Sequence, residues 1–384
     1  MITGMENSRP EKPVMLEPQA QSNRLFALDI FRGMTIFFMI VVNTPGSWNH
    51  VYAPLLHAKW IGLTPTDLVF PFFVYIVGCA MAFSFTKFDR SLNHGPWYIK
   101  VLRRTFLIFA IGIVLNWFPF YDRNFAELRV YGVLQRIALA YGLAALIIMH
   151  CPKKWLPLAG SLLLIGYFGL LMVFGGESPL TLEANAVRKL DLWLVGAGHV
   201  YHGYGMPFDP EGLLSTIPTV VTVLLGYWVG LTIQRQELVL DKIKAVLPFA
   251  LLTTLLGIAL NYLGCPINKP IWSSSYVLVT GGLATFSLSA LIYVLDYKKW
   301  RGWSIVFEAF GKNPLFCYVA AALIAKSISL VRLNGVGLYE WAYGNIFQPW
   351  FGYYTGSCVQ ALTFTMLIWI LAWLLYRKDI VIKI

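Results

Sequence analysis

The stretch TPTDLVFPFFVYIVGCAMAFSF, Thr64 to Phe85, carries one charged residue, Asp67, and that residue stands at its beginning. A run of about 20 apolar residues is long enough to cross the roughly 30 Å hydrocarbon layer of a bilayer. Thr64 reads as an N-cap, Pro65 as the first helical residue and Asp67 as a capping carboxylate three places in. The stretch therefore predicts a membrane helix with a defined start. Working outward from it, similar runs fall near 26–44, 64–85, 105–121, 131–150, 155–174, 213–233, 246–263, 274–295, 313–331 and 357–376. The expected fold is all-α: a polytopic transmembrane helix bundle of about ten spans.

Composition supports this reading. Apolar residues make up 58% of the chain and charged residues 13%, about half the share of a soluble domain. Residues 1–23 are polar and rich in Pro and Glu, without the apolar core of a signal peptide, and read as a disordered cytoplasmic tail before a membrane domain at 24–384. The net charge of +11 is gathered in the connections. With the N-terminus inside, cytoplasmic segments hold 19 Lys and Arg and the outer ones 7, which places both termini in the cytoplasm. Such a distribution serves topology and lipid contact; no nucleic-acid partner is expected. The five cysteines lack metal or redox spacing.

Polar groups in so apolar a chain mark candidate chemistry. Four of the six histidines, His50, His57, His199 and His202, fall in two long outer segments, 45–63 and 175–212, and are candidates for one outer pocket. His57 precedes the capped helix start at Thr64. A hydrated loop histidine is the plainer reading. His199 and His202 without a carboxylate at ligand spacing are weak evidence for a metal, and none is expected. Asp29 and Arg32 lie three apart at the inner end of the first span, where a local ion pair is the simple alternative. Gln135 and Arg136 sit several residues inside the fourth span, where a guanidinium must face a cavity, a counter-ion or an interface. Asp209 and Glu211 precede the sixth span as caps or loop anchors. Asn268, Lys269 and Trp272 open the eighth, where an aromatic belt also accounts for Trp272. Gly311-Lys312-Asn313-Pro314 begins the ninth, so backbone N–H groups, a lysine and an amide meet at a positive helix end that suits an anion.

In family order, these segments resemble the heparan-alpha-glucosaminide N-acetyltransferase family: Leu28-Asp29-Ile30-Phe31-Arg32-Gly33, Val42-Asn43, His57 to Thr64, Asp67-Leu68-Val69-Phe70-Pro71, Gly132 to Arg136, Asp209 to Gly212, Asn268 to Ser273 and Tyr376-Arg377-Lys378. The resemblance runs from about residue 24 to the C-terminus. It implies a transmembrane acetyltransferase domain that takes acetyl-coenzyme A from the cytoplasm and delivers acetyl to a terminal glucosamine on the far side, with His57 as active-site histidine and Asn43 as its neighbour. It differs from the animal enzymes in having a short polar tail before the core and a longer segment between Asn43 and His57.

The residues suit that scheme. Acetylating an amine needs a base that titrates near neutrality, which histidine supplies, and a group for the thioester oxyanion, for which Asn43 or helix-end N–H groups would serve. An acetyl-imidazole on His57 is the other route. Arg32, Arg136, Gln135, Lys312 and Asn313 are the expected contacts of the coenzyme; Asp67, Asp209, Glu211, Asn268, Lys269 and Trp272 those of the acceptor. Expected partners are an amino-sugar or glycan acceptor and membrane lipid, with a homodimer left open, and the expected location is a bacterial cytoplasmic (inner) membrane. An O-acetyltransferase of a cell-envelope glycan and a secondary transporter are the competing readings.

Overall fold

A computed structural model of the protein describes residues 25–87, 95–121 and 124–382. The expected tail, 1–23, lies outside them. All ten predicted stretches are helical: α1 (Phe26–Asn43), α2 (Pro65–Ser84), α3 (Gly95–Trp117), α4 (Val133–His150), α5 (Leu156–Phe174), α7 (Thr216–Gln234), α8 (Val239–Tyr262), α9 (Ser274–Leu291), α11 (Pro314–Leu330) and α14 (Tyr353–Arg377). Four shorter helices fill connections: α6 (Ala186–Val195), α10 (Ile305–Lys312), α12 (Leu338–Ala342) and α13 (Gln348–Phe351). The only strand pairing among the described residues is a two-residue ribbon, Arg332–Leu333 with Val336–Gly337.

The chain is thus a multi-pass membrane helix bundle, with a smaller number of clear crossings than expected. Among the described residues, eight helices are long and apolar enough to cross a membrane, and the pair α10 and α11, bent by 90°, would make a ninth. The difference arises at α3. The expected span began at 105, but the helix begins ten residues earlier and carries Lys100, Arg103 and Arg104 in its first half. Those charges shorten its apolar part below spanning length.

Bare backbone contacts hold the centre together. Helix α2 packs most extensively on α7. A methyl group added at Gly78 would collide with the carbonyl of Val223, and one at Gly226 with the carbonyl of Tyr75. Small residues at these crossings let the two helices approach closely where lipid supplies no hydrophobic drive. The same device joins α1 to α10, through Gly33 against Phe307 and Gly311 against Asp29. Tyr75 on α2 is hydrogen-bonded to Thr285 on α9 at 2.8 Å. The middles of α2, α7 and α9 are therefore joined in one closely packed region.

Replacing Gly78 or Gly226 by Ala should lower the thermal midpoint of the purified protein, since overpacking a close contact costs about 1–3 kcal/mol. Gly166→Ala, where an added methyl meets nothing within 4 Å, is the control and should leave the midpoint in place. Equal behaviour of all three variants in a thermal melt would rule out the tight α2/α7 crossing.

Candidate active site

Helix α2 starts with the capping box read from the sequence. Asp67, at the third helical position, reaches back to the N–H of Thr64 at 3.0 Å, and the Thr64 hydroxyl stands 3.0 Å from the same oxygen, Oδ2. That oxygen also accepts from the N–H of Ala58 at 3.1 Å. Cap and loop are thereby closed on one fully buried carboxylate. Its other oxygen, Oδ1, faces His57 Nδ1 at 2.7 Å. Pinning Ala58 fixes the residue beside the histidine, so the ring is positioned by backbone and side chain together.

Lys269 completes the group from 212 residues away. Its Nζ lies 3.3 Å from Asp67 Oδ1, 2.8 Å from His57 Nδ1 and 3.3 Å from His57 Nε2. Imidazole Nδ1 has one in-plane site, which holds either a proton or a lone pair. Against an ionised Asp67 it holds the proton, so the lysine hydrogens go to the carboxylate and Nε2 is left with the basic lone pair. The His57 side chain is 49% exposed while Asp67 is sealed, so one side of the ring is open. Burial pulls the Lys269 ammonium below its ordinary range, against Asp67 and Glu211, which favour its charge.

The turn carrying Lys269 is rigid. Asn268 Oδ1 accepts from the N–H of Ile271 at 3.0 Å, and the Asn268 N–H donates to Ser273 Oγ at 3.0 Å. Trp272 occupies left-handed backbone space, with φ of 51°, and its indole N–H donates to Thr222 at 3.1 Å. Both Asn268 and Trp272 are buried. They support Lys269 here; their expected role as acceptor contacts is not visible in these bonds.

A second polar cluster holds the strap before α7. Arg129 grips Asp209 with two bonds, 2.8 and 2.7 Å, and reaches Glu211 at 2.6 Å. Although burial opposes its charge, the two carboxylates raise the Arg129 guanidinium above its ordinary range. Arg136 donates to the carbonyl of Gly212 at 3.1 Å and to Ser215 Oγ, and its guanidinium lies over the Trp272 ring at 5.1 Å. Asp191 accepts from the N–H of Leu213 at 2.9 Å. Asp209 is spent within this cluster. The Glu211 side chain keeps some exposure, at 14%.

Below this region a cavity of about 450 Å³ opens at the opposite end of the bundle. Arg32, Lys100, Arg104 and Lys312 stand in its wall; Leu134 and Tyr318 line it further in. Two of the expected coenzyme contacts, Arg32 and Lys312, therefore share one cavity. Asn313 adjoins it, whereas Gln135 and Arg136 are buried outside its wall. Lys100 and Arg104 count in the sequence only among the basic residues of the cytoplasmic segments, yet their i, i+4 spacing puts both on one face of α3.

Other expectations fare differently. Asn43 lines a separate cavity of about 960 Å³ with Lys326 and Tyr339, and no described hydrogen bond links it to His57. Three of the four histidines have separate partners, His57 meeting Asp67 and Lys269. His50 stacks among Tyr343, Tyr353 and Tyr354, and His199 Nδ1 bonds the carbonyl of Leu128 at 2.7 Å. Among the described residues, no three His, Cys, Asp or Glu side chains are grouped to hold a metal ion.

Comparison with known proteins matches residues 24–262 to the family model described as heparan-alpha-glucosaminide N-acetyltransferase, catalytic. The chain is 27% identical over 430 residues to the heparan-alpha-glucosaminide N-acetyltransferase of Mus musculus, covering 95% of this chain and 61% of that protein. Against the protein of the same name from Homo sapiens it is 27% identical over 431 residues, covering 97% of this chain and 62% of the relative. It thus spans less than two thirds of either relative's length.

The strap supplies a pH-dependent test. Burial raises the Asp191 carboxyl from 3.8 to about 7, so the folded protein holds a proton that the unfolded chain releases near pH 4. The resulting stabilisation is full below that pH and is lost as pH rises through about 7. Thermal midpoints measured from pH 5 to pH 8 should fall more steeply for the wild type than for Asp191→Asn. Parallel slopes would remove Asp191 as the cause.

Proposed function

The chain belongs to the heparan-alpha-glucosaminide N-acetyltransferase catalytic family, and from that premise we propose that it is a membrane acyltransferase. It moves acetyl from cytoplasmic acetyl-coenzyme A to the amine of a terminal glucosamine-type sugar on the opposite side. The observation that carries this reading is the His57–Asp67 pair: a half-open imidazole oriented by a buried carboxylate at 2.7 Å, with a lysine alongside.

The basic cavity receives the donor. Coenzyme A presents phosphates at one end and a slender pantetheine arm at the other. Four cationic side chains and a set of apolar residues in one cavity wall match both halves of that molecule. The bias of Lys and Arg supports a cytoplasmic position for this end of the bundle. The thioester then approaches the histidine end from within.

The acceptor approaches from the other side. The amine arrives neutral, its ammonium proton released to solvent; as it attacks, His57 Nε2 takes the second proton from the nitrogen, and Asp67 stabilises the imidazolium that results. The amine nitrogen bonds to the acetyl carbon, and the carbonyl oxygen becomes negative. Lys269 supplies the positive charge beside it, where the sequence suggests Asn43 or helix-end N–H groups. The carbon–sulfur bond then breaks, and the proton held on His57 leaves with the coenzyme A thiolate. Glu211, partly exposed and bound to Arg129, faces the same region and would hold a cationic acceptor.

Purified protein in nanodiscs, given labelled acetyl-coenzyme A and glucosamine, should form N-acetylglucosamine. His57→Ala should lower kcat by at least about 10²- to 10⁴-fold, the range supplied by a general base, and Asp67→Asn should act in the same direction. Undiminished turnover in His57→Ala would end this mechanism; faster acetylation of an alcohol acceptor than of the amine would reassign the substrate.

Lys100→Ala and Arg104→Ala test the donor cavity. Each should raise KM for acetyl-coenzyme A severalfold while leaving KM for acetyl-pantetheine, which lacks the nucleotide phosphates, nearly in place. Equal changes for the two donors would argue against phosphate contacts at these residues.

A further inference from the structure

The segment that follows α14 folds back onto the mouth of the basic cavity. Asp379 takes up left-handed backbone space, with φ of 49°, and the N–H of Ile380 closes onto the carbonyl of Leu375 at 3.0 Å. This turn directs residues 379–382 toward the junction of α10 and α11. There Asn313 binds the segment on both sides of Val381. Its Nδ2 donates to the carbonyl of Ile380 at 2.9 Å, and its Oδ1 accepts from the N–H of Ile382 at 2.8 Å. Ile382 thereby becomes part of the cavity wall that also contains Arg32, Lys100, Arg104 and Lys312.

The same segment delivers a carboxylate to one of those cations. Lys312 Nζ lies 3.0 Å from Asp379 Oδ1 and 4.5 Å from the centre of the Tyr376 ring. The partners differ in burial: the Lys312 side chain is 19% exposed and that of Asp379 is 87% exposed. An ammonium largely withdrawn from water needs an anion, whereas the exposed carboxylate swings into solvent at little cost. Lys312 thus has a readily displaced partner. Among the described residues no carboxylate engages Lys100 or Arg104.

We infer that Asp379 is an affinity- and specificity-determining residue of the donor site: its carboxylate holds the place on Lys312 that a phosphate of the incoming donor takes. Asn313 keeps the segment docked while the carboxylate is exchanged. The inference rests on the donor reading of the basic cavity and adds that the fold carries its own competitor for it. A donor without phosphates has no group to exchange, so Asp379 discriminates against weakly charged thioesters less than it resists charged ones. The family match ends at residue 262, before this segment, and neither residue falls within it.

Equilibrium binding of coenzyme A and of pantetheine to the purified full chain tests this without depending on turnover. Asp379→Asn, close in shape and uncharged, should bind coenzyme A about two- to fivefold more tightly than the wild type, the scale of a partly exposed ion pair. Asp379→Ala should do the same, with pantetheine affinity unmoved in both. In a Lys312→Met background the gain from Asp379→Asn should vanish. Unchanged coenzyme A affinity in both Asp379 variants would overturn the inference, as would equal shifts for the two ligands or a gain that persists without Lys312. Wild-type protein that binds coenzyme A with this pattern but transfers no acetyl would sink the catalytic reading and leave the Asp379 contact standing. Absence of any coenzyme A binding would overturn both.

Discussion

The arrangement depends on one buried carboxylate. Asp67 closes the first turn of α2, ties down the loop at Ala58, orients His57 and faces Lys269, all through two oxygen atoms. Burying an ionised carboxyl is costly unless its lone pairs are used, and here donors approach both oxygens. Two of these donors are backbone N–H groups of the cap and its approach, so the charge is compensated before any catalytic group is counted. The helix start and the reactive ring are consequently one unit. Tyr276 adds a bond from α9 to the Asp67 carbonyl at 2.6 Å, fixing that unit to the helix that follows Lys269.

Cations in this apolar chain divide by their partners. Arg129 is consumed by Asp209 and Glu211, whereas Arg136 uses one nitrogen on a backbone carbonyl and a serine and lies over the face of Trp272. These two arginines hold the strap that bounds the histidine end. Lys100 and Arg104 are different: each lies against an aromatic ring, at 5.3 and 4.8 Å, with no described carboxylate. A positive group left in that state beside a cavity is matched only when an anion enters. Arg129, held by two carboxylates, thus differs from Lys100 and Arg104, which stand in a cavity wall against aromatic rings.

Much of this organisation was legible locally. Hydropathy located ten helices, and the spacing of Thr64, Pro65 and Asp67 predicted the capping box, because both signals are written within a few turns of one helix. The shared cavity of Arg32 and Lys312 followed from charge at two helix ends. What was not legible is contact across the bundle. Nothing near His57 announces Lys269, and nothing near Asn43 shows that the long connection carries it to another cavity. The four histidines invited a common pocket because they share loops, yet separate aromatic and backbone partners hold His50 and His199. Arg104 and Lys100 escaped notice because a basic loop and the basic first turns of a helix look alike until the helix start is known.

The broken pair α10 and α11 explains how two distant ends are linked by few elements. Its 90° bend lies at Asn313, where an uninterrupted membrane helix would keep its backbone bonds satisfied. The bend is tolerated beside a cavity, with Asn313 using its side chain to bind the segment after α14. Gly311 lets α10 lie directly on the backbone of α1 near Asp29, so Lys312 is delivered next to Arg32. From the bend α11 sets out, with Pro314 and Leu315 at the mouth and Tyr318 further along the wall. Its Lys326 reaches the carbonyl of Leu115 on α3 and lines the cavity that contains Asn43. One helix therefore borders the basic cavity at its start and the second cavity near its end, and the break is what allows its first turn to face the first of them.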